Sequence, residues 1–312
     1  METKIHRKSE SLSINQSRTK RKQGKSWGEF LTPYLFIFPF LAFFLIFFLG
    51  PALYSFVLSF YRYRGYGEAQ FAGIDNYVRA LDYHVFWTTL ENTLFYWVGH
   101  AVPMMALAFF LAVLVNSKLV VHKNFFKPLI FLPQIVASVA SALVFQNFFG
   151  THTGALNNML GTDIPWLEDM DLARWAVVIL LVWRGIGYWF IIFLAGLTSI
   201  NEEVNEAATV DGASSFQKLF YITIPLMRST FLFAFIVDGI VTLRLFAEPN
   251  VLGGRGGALA PVEMAPVLNL VVNNIRGARF GDAAAVGWIL FVITVFITIV
   301  QYLILGRRRK EQ

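Results

Sequence analysis

Two charged side chains stand inside stretches that are otherwise apolar. Arg184 lies in AVVILLVWRGIGYWFIIFLAGL and Asp238 in FLFAFIVDGIVTL. Ionised groups in such surroundings are costly, and where they persist they mark ion pairs, gates or solute paths. Each falls near the middle of its stretch, approached from opposite ends, so antiparallel neighbours could bring guanidinium and carboxylate together. The pair would then be a structural ion pair, or a gate or substrate contact. Arg244 and Glu248 follow at i, i+4, the spacing of a local helical pair or of polar contacts for an entering solute, with Asn250 close by. Trp183, Tyr188 and Trp189 offer flat apolar faces with hydrogen-bonding tips, the combination on which sugar rings stack. Packing between helices or against lipid is the ordinary use of the same rings.

Other chemistries lack their residues. The chain has no Cys, which removes thiol catalysis, disulfides and Cys-ligated zinc or iron–sulfur centres. Its five His show no metal-ligand spacing. No G-x(4)-G-K-[ST] phosphate loop is present; the GKS of Gly24–Ser26 has Thr19 where the first glycine belongs. A membrane-embedded enzyme would need paired carboxylates or a His cluster at one depth. An ion-coupled secondary transporter would favour matching half-repeats and more than one mid-span acid. The sequence offers none of these.

The elements that must hold these residues follow from composition. Of 312 residues, 56% are hydrophobic and 15% charged, 32 are Phe, and mean hydropathy is +0.56, so the solvent for most of the surface is a bilayer. A span needs about 20 apolar residues. Six segments qualify: 34–60, 93–115, 125–149, 173–198, 226–247 and 283–305. The first is too long for a signal-peptide core and lacks a small-residue cleavage site, so it reads as a retained span. Residues 1–33 are basic and Ser-rich without hydrophobic period, a disordered tail. The net charge of +6 is concentrated on the flanks of spans, which speaks for membrane topology and against nucleic acid. Lys and Arg number seventeen in the two tails and the loops on their side, against seven on the other. That bias places both termini in the cytoplasm.

One polar interruption stands out, EAATVDGASSFQKLFYITIPL from Glu206 to Leu226. Ser199 and Glu202 have capping-box spacing for a first short helix. Asp211-Gly212 ends it, glycine suiting a left-handed position. Ser214 or Ser215 can cap a second helix, with Phe216, Leu219 and Phe220 on one face. Two such short helices in water need a surface to bury them. That surface is the membrane or their own bundle, unless another chain supplies it.

Glu206, Ala207, Ala208, Gly212, Ile222, Ile224 and Pro225, between the fourth and fifth of six spans, resemble the EAA loop of binding-protein-dependent ABC importer permeases. Ile224 stands where the family usually has Leu. FIFPFLAFFLIFFLGPALYSFVLSF, FAGIDNYVRAL, NTLFYW and FGDAAAVGWILF are similar to the carbohydrate-importing, maltose-type branch, in the subunit that pairs with a shorter second permease. The resemblance implies an all-α polytopic fold. Its parts would be a tail (1–33), a first span (34–60), an outer loop (61–92), a core of five spans (93–305, with the EAA loop at 199–225) and a basic tail (306–312). It implies that Glu206, Ala207, Ala208, Gly212 and Pro225 couple the spans to a cytoplasmic ATPase. ATP would be bound and hydrolysed by that partner, so the chain needs no cofactor and is not itself an enzyme. The implied partners are a second permease, two ATPase subunits, an extracytoplasmic solute-binding protein and membrane lipid, in a bacterial inner membrane. The cargo would be a sugar or oligosaccharide, with a non-sugar solute such as a glycerol phosphate as the alternative.

Overall fold

The computed structural model describes residues 27–117, 120–254 and 258–306. The expected basic tails lie largely outside these residues, but Trp27 is already helical, seven residues before the span expected to begin at residue 34. The chain divides into two compact units, 1–54 and 55–312. The first contains α1 (Trp27–Phe43) and a π-helical segment (Phe44–Leu49), which runs on into α2 (Gly50–Leu58). Pro51 has no N–H and its ring crowds the carbonyl one turn back. The turn before it widens, and the Gly50 N–H donates five residues back to the Leu45 carbonyl. The Phe side chains from Phe36 to Phe48 are exposed, a surface suited to lipid.

In the second unit the expected outer loop 61–92 is largely ordered structure. β1 (Tyr61–Arg62) pairs antiparallel with β2 (Gln70–Phe71), followed by α3 (Asp75–Asp82) and the start of α4 (His84–Asn116). At 33 residues α4 is about 50 Å long, well beyond a hydrocarbon core of about 30 Å, so the helix begins nine residues before Thr93. Its partner along most of its length is α8 (Met170–Thr198). Met104, Ala108, Phe109 and Ala112 of α4 bury against Phe190, Phe193 and Leu197 of α8.

The third expected span, 125–149, is two helices. α5 (Lys123–Ile135) and α6 (Ser138–Phe148) meet at 91°, and the short α7 (Ala155–Leu160) follows them before α8. Pro128 and Pro133 each delete a helical donor, and the turn after Pro133 ends in two extended residues, Val136 and Ala137. α5 lies close against α8 because residue 187 is glycine: a Cβ there would stand 2.6 Å from the Ile130 carbonyl oxygen.

The fifth span is also broken. α10 (Ser215–Lys218), a second π segment (Leu219–Thr223) and α11 (Ile224–Leu226) precede α12 (Arg228–Thr242), with a 62° bend at Met227. Again the π segment stops just short of a proline, Pro225. α12 ends at Thr242 rather than at Ala247, and α13 (Ala247–Gly253) starts anew. Before the last span, α15 (Phe280–Gly306), lies the amphipathic α14 (Val267–Arg276), whose Val267 and Leu270 pack with Val286 and Leu290. Among the described residues four helices are long and apolar enough to span a bilayer, and the two bent pairs raise the count to six.

Candidate translocation site and coupling loop

Between α4, α5, α8, α12 and α13 lies a cavity of about 250 Å³. Its walls carry His100, Gln134, Arg184, Tyr188, Trp189, Asp238, Thr242 and Glu248 among apolar side chains. Arg184 and Asp238 both reach it, as their shared depth suggested, but they do not pair with each other. The Arg184 guanidinium donates from Nη1 to Glu248 Oε1, and the Glu248 side chain is only 7% exposed. Asp238 faces His100, with Nε2 3.2 Å from Oδ1. The reason is the end of α12: the helix stops before Glu248, and α13 folds that carboxylate back toward α8.

The same break removes the expected Arg244–Glu248 pair. The two residues no longer share a helix, and Arg244 is exposed. Asn250 is not in the cavity wall. It forms a reciprocal amide pair with Asn269 at 2.8 Å and accepts from the Ala260 N–H at 2.7 Å, so it staples the segment after α13. Trp183 also lies outside the wall, tilted against Phe145 at 5.2 Å. Tyr188 and Trp189 do line it, edge to face at 5.0 Å.

The His100–Asp238 contact limits where hydrogens can sit. His100 Nδ1 lies 2.7 Å from the Tyr96 carbonyl oxygen, which can only accept, so that nitrogen carries hydrogen. A hydrogen bond across Nε2 and Oδ1 then requires one further proton, held by imidazolium or by carboxylic acid. In both forms the pair is electrically neutral. Asp238 Oδ2 and Arg184 Nε are buried without a hydrogen-bond partner. His100, Gln134 and Thr242 were not singled out from the sequence. A polar side chain in the middle of an apolar helix was the signal for His100, the same signal that marked Asp238.

At the other end of α8 the polar interruption forms two short helices. α9 (Glu202–Val210) is capped by Asn201, whose side chain accepts from the Glu203 N–H. The expected Ser199–Glu202 capping box does not form: Ser199 Oγ donates back to Gly196 at 2.7 Å, closing α8. Gly212 has φ +81, and the Gly212 and Ala213 N–H groups donate to Thr209 and Ala208, a complete left-handed helix stop. Ser214 and Gln217 form the reciprocal capping box of α10. Lys218 Nζ reaches Thr209 Oγ1 at 3.0 Å and ties the two helices together. Within this unit Ala208 is buried, whereas Glu206, Ala207, Val210, Phe216, Phe220 and Tyr221 are exposed.

The chain is 33% identical over 279 residues to the lactose transport system permease protein LacF of Rhizobium radiobacter, covering 86% of this chain and 92% of that one. It is 30% identical over 284 residues to the arabinooligosaccharides transport system permease protein AraP of Bacillus subtilis (strain 168), covering 89% and 90%. Its fold matches a chain of a bacterial ABC transporter involved in the import of the acidic polysaccharide alginate, with TM-score 0.78 at 22% identity over 89% of this chain and 96% of that chain. Residues 93–310, from the first third of α4 past the Glu206 loop and through the last span, match the family described as binding-protein-dependent transport system inner membrane component. The chain is a member of that family.

Proposed function

We propose that the chain is one of two permease subunits of an ABC importer and that its cargo is a sugar or oligosaccharide. The cavity carries the reading. It lies against α5 and α12, each one arm of a sharply bent pair, and combines two aromatic faces, Tyr188 and Trp189, with hydrogen-bonding groups from five helices. That is the composition sugar sites use. The charges in its walls are already compensated, Arg184 by Glu248 and Asp238 through the shared proton with His100. This favours an uncharged polyol over a phosphate-bearing solute, which would need a spare cation. Relatives whose names concern lactose and arabinooligosaccharides support the same class.

The cytoplasmic partner is an ATPase, seated against the exposed surface of α9 and α10. Glu206 is the charged anchor and Ala207 the small residue that permits close approach. Gly212 and Pro225 set the angles at which the two helices leave and re-enter the membrane. ATP is bound and hydrolysed in that partner, present twice, and its closure moves the broken helices around the cavity in alternating access. A binding protein delivers the sugar on the far side. Both termini lie in the cytoplasm, in keeping with the excess of basic residues on that side.

The test is to isolate the assembly through a tag on this chain and reconstitute it in proteoliposomes with its binding protein. Uptake of labelled oligosaccharide that requires ATP and the binding protein is the expected result. Uptake by this chain alone, driven by an ion gradient, would refute the reading.

A further inference from the structure

A second polar hollow, of about 380 Å³, lies away from the central cavity where β1 and α3 meet the first turn of α15. Its walls carry four arginines, Arg62, Arg64, Arg79 and Arg279. Two of them are spoken for: Arg62 pairs with Asp75 at 2.9 Å and Arg79 with Asp282 at 2.7 Å. Arg64 and Arg279 have no carboxylate partner among the described residues, and Glu68 of the same hairpin is not in the wall. Two guanidinium charges are left to face one cavity.

The frame around them is fixed. Asn76, 1% exposed, donates to the Ser59 and Tyr61 carbonyls at 2.7 and 2.9 Å and also accepts from Arg79. The Phe280 N–H donates to the Tyr63 carbonyl at 3.0 Å. A Cβ at Gly281 would stand 1.9 Å from the Tyr61 carbonyl oxygen, so only glycine lets β1 seat this close to α15. The position is also set. β1 begins three residues after α2 ends, and the first turn of α15 opens the last span, so the hollow is built from the segments that directly follow one apolar helix and begin another. Tyr66, Phe71 and Ile74 beside it are exposed at 71%, 73% and 65%, which suits the interfacial region. An adjoining cavity of about 420 Å³ shares Asn76, Arg79, Arg279 and Asp282 and adds the apolar Ala80, Leu270 and Val286 beside the polar Asp82, Tyr83 and Asn274.

We propose that this paired hollow binds an anionic phospholipid, its phosphodiester held by Arg64 and Arg279 and its glycerol and upper acyl region lying against Leu270 and Val286. Planar guanidinium groups grip phosphate oxygens in a bidentate manner. Cationic residues at membrane depth draw anionic lipid from the bulk. An acidic protein surface would be matched by the arginines but would leave the apolar half of the cleft unused.

The experiment uses the intact assembly in nanodiscs of phosphatidylcholine, with and without phosphatidylglycerol. Retained lipid is read by native mass spectrometry and the thermal midpoint is read in parallel. Phosphatidylglycerol should co-isolate with the wild type and raise its midpoint. Arg64→Gln with Arg279→Gln should abolish both effects, each arginine weakening apparent lipid affinity about tenfold. Arg64→Gln alone removes no ion pair of the chain, so it gives a reading even if the double variant fails to assemble. Lysine at both positions should retain most of the response. An unchanged response to phosphatidylglycerol in the glutamine variants would overturn the proposal. So would an equal midpoint rise from inorganic phosphate in pure phosphatidylcholine, which would assign the site to free phosphate. Loss of binding-protein docking with lipid retention intact would assign it to a protein partner and overturn it likewise.

Discussion

Arg184 and Glu248, 64 residues apart in the chain, form an ion pair in the wall of the central cavity, and Glu248 has almost no contact with solvent. Removing one partner strands the other charge at low dielectric, whereas replacing both with apolar residues removes the desolvation penalty along with the attraction. Arg184→Ala and Glu248→Ala should each destabilise the assembled protein by roughly 3–5 kcal/mol. Arg184→Met with Glu248→Leu should regain most of that loss, as read by thermal unfolding in detergent, while transport stays low. A double variant no more stable than either single would mean the two residues do not depend on each other.

The pairing also forecasts which exchange fails. Because Arg184 and Asp238 have different partners, Arg184→Asp with Asp238→Arg places an acid beside Glu248 and a base beside His100. The swap should assemble worse than either single change. Recovery of assembly in the swap, measured by membrane yield, would instead place Arg184 and Asp238 in contact.

The proton shared by His100 and Asp238 gives a third expectation. Asp238→Asn can still donate to His100 Nε2 while Nδ1 keeps its bond to Tyr96, so its cost should be about 1 kcal/mol or less. Asp238→Leu leaves a buried imidazole nitrogen unsatisfied and should cost about 1–3 kcal/mol. In a double-mutant cycle with His100→Leu, a coupling of about 0.5–3 kcal/mol in thermal or denaturant unfolding is expected. A coupling near zero would dissolve the pair.

Gly212 holds its left-handed conformation with no atom near its missing Cβ, so a substitution there is penalised by backbone strain alone. Gly212→Val should cost roughly 1–2 kcal/mol and Gly212→Asn less, since Asn tolerates this region. The spans should still insert, and the loss should appear as weaker ATPase co-purification or as hydrolysis that sugar no longer stimulates. Glu206→Lys, which leaves the fold untouched, should weaken the ATPase contact by reversing an exposed charge. Full sugar-stimulated hydrolysis in Gly212→Val and Glu206→Lys would remove the coupling role of α9.

Asn157 is 2% exposed and organises the segment before α8. It donates to the Thr151 and Ile164 carbonyls at 2.9 and 2.8 Å and accepts from Trp166 Nε1 at 2.8 Å. Asn157→Leu leaves those groups unpaired, a loss of roughly 1–3 kcal/mol. The expected readout is a red-shifted Trp emission and faster proteolysis between residues 150 and 166, with the spans intact. Unchanged cleavage would show that the loop is held by its other contacts.

Much of the fold was legible because its causes are local. Apolar runs of span length, glycine at residue 212 and serine at residue 214 each act within a few residues, and each produced the element their chemistry specifies. The short helix that carries Glu206, Ala207 and Ala208 likewise read directly, since its length and its glycine stop are set by neighbouring residues. What the sequence left open depended on where chains break and fold back. Val136–Ala137 turns one apolar run through 91°, and nothing in the hydropathy of 125–149 marks the corner. The halt of α12 at Thr242 was equally invisible, yet it takes Glu248 off the helix of Arg244 and delivers it to Arg184. Asp238 then meets His100, brought from 138 residues away by the packing of α4 beside α12. Sequence drew attention to Arg184, Asp238 and Glu248, three charges that share one cavity wall. Only tertiary structure decided their partners, because a buried charge pairs with whichever counter-charge the backbone carries within a few ångströms, and hydropathy along the chain does not encode that distance.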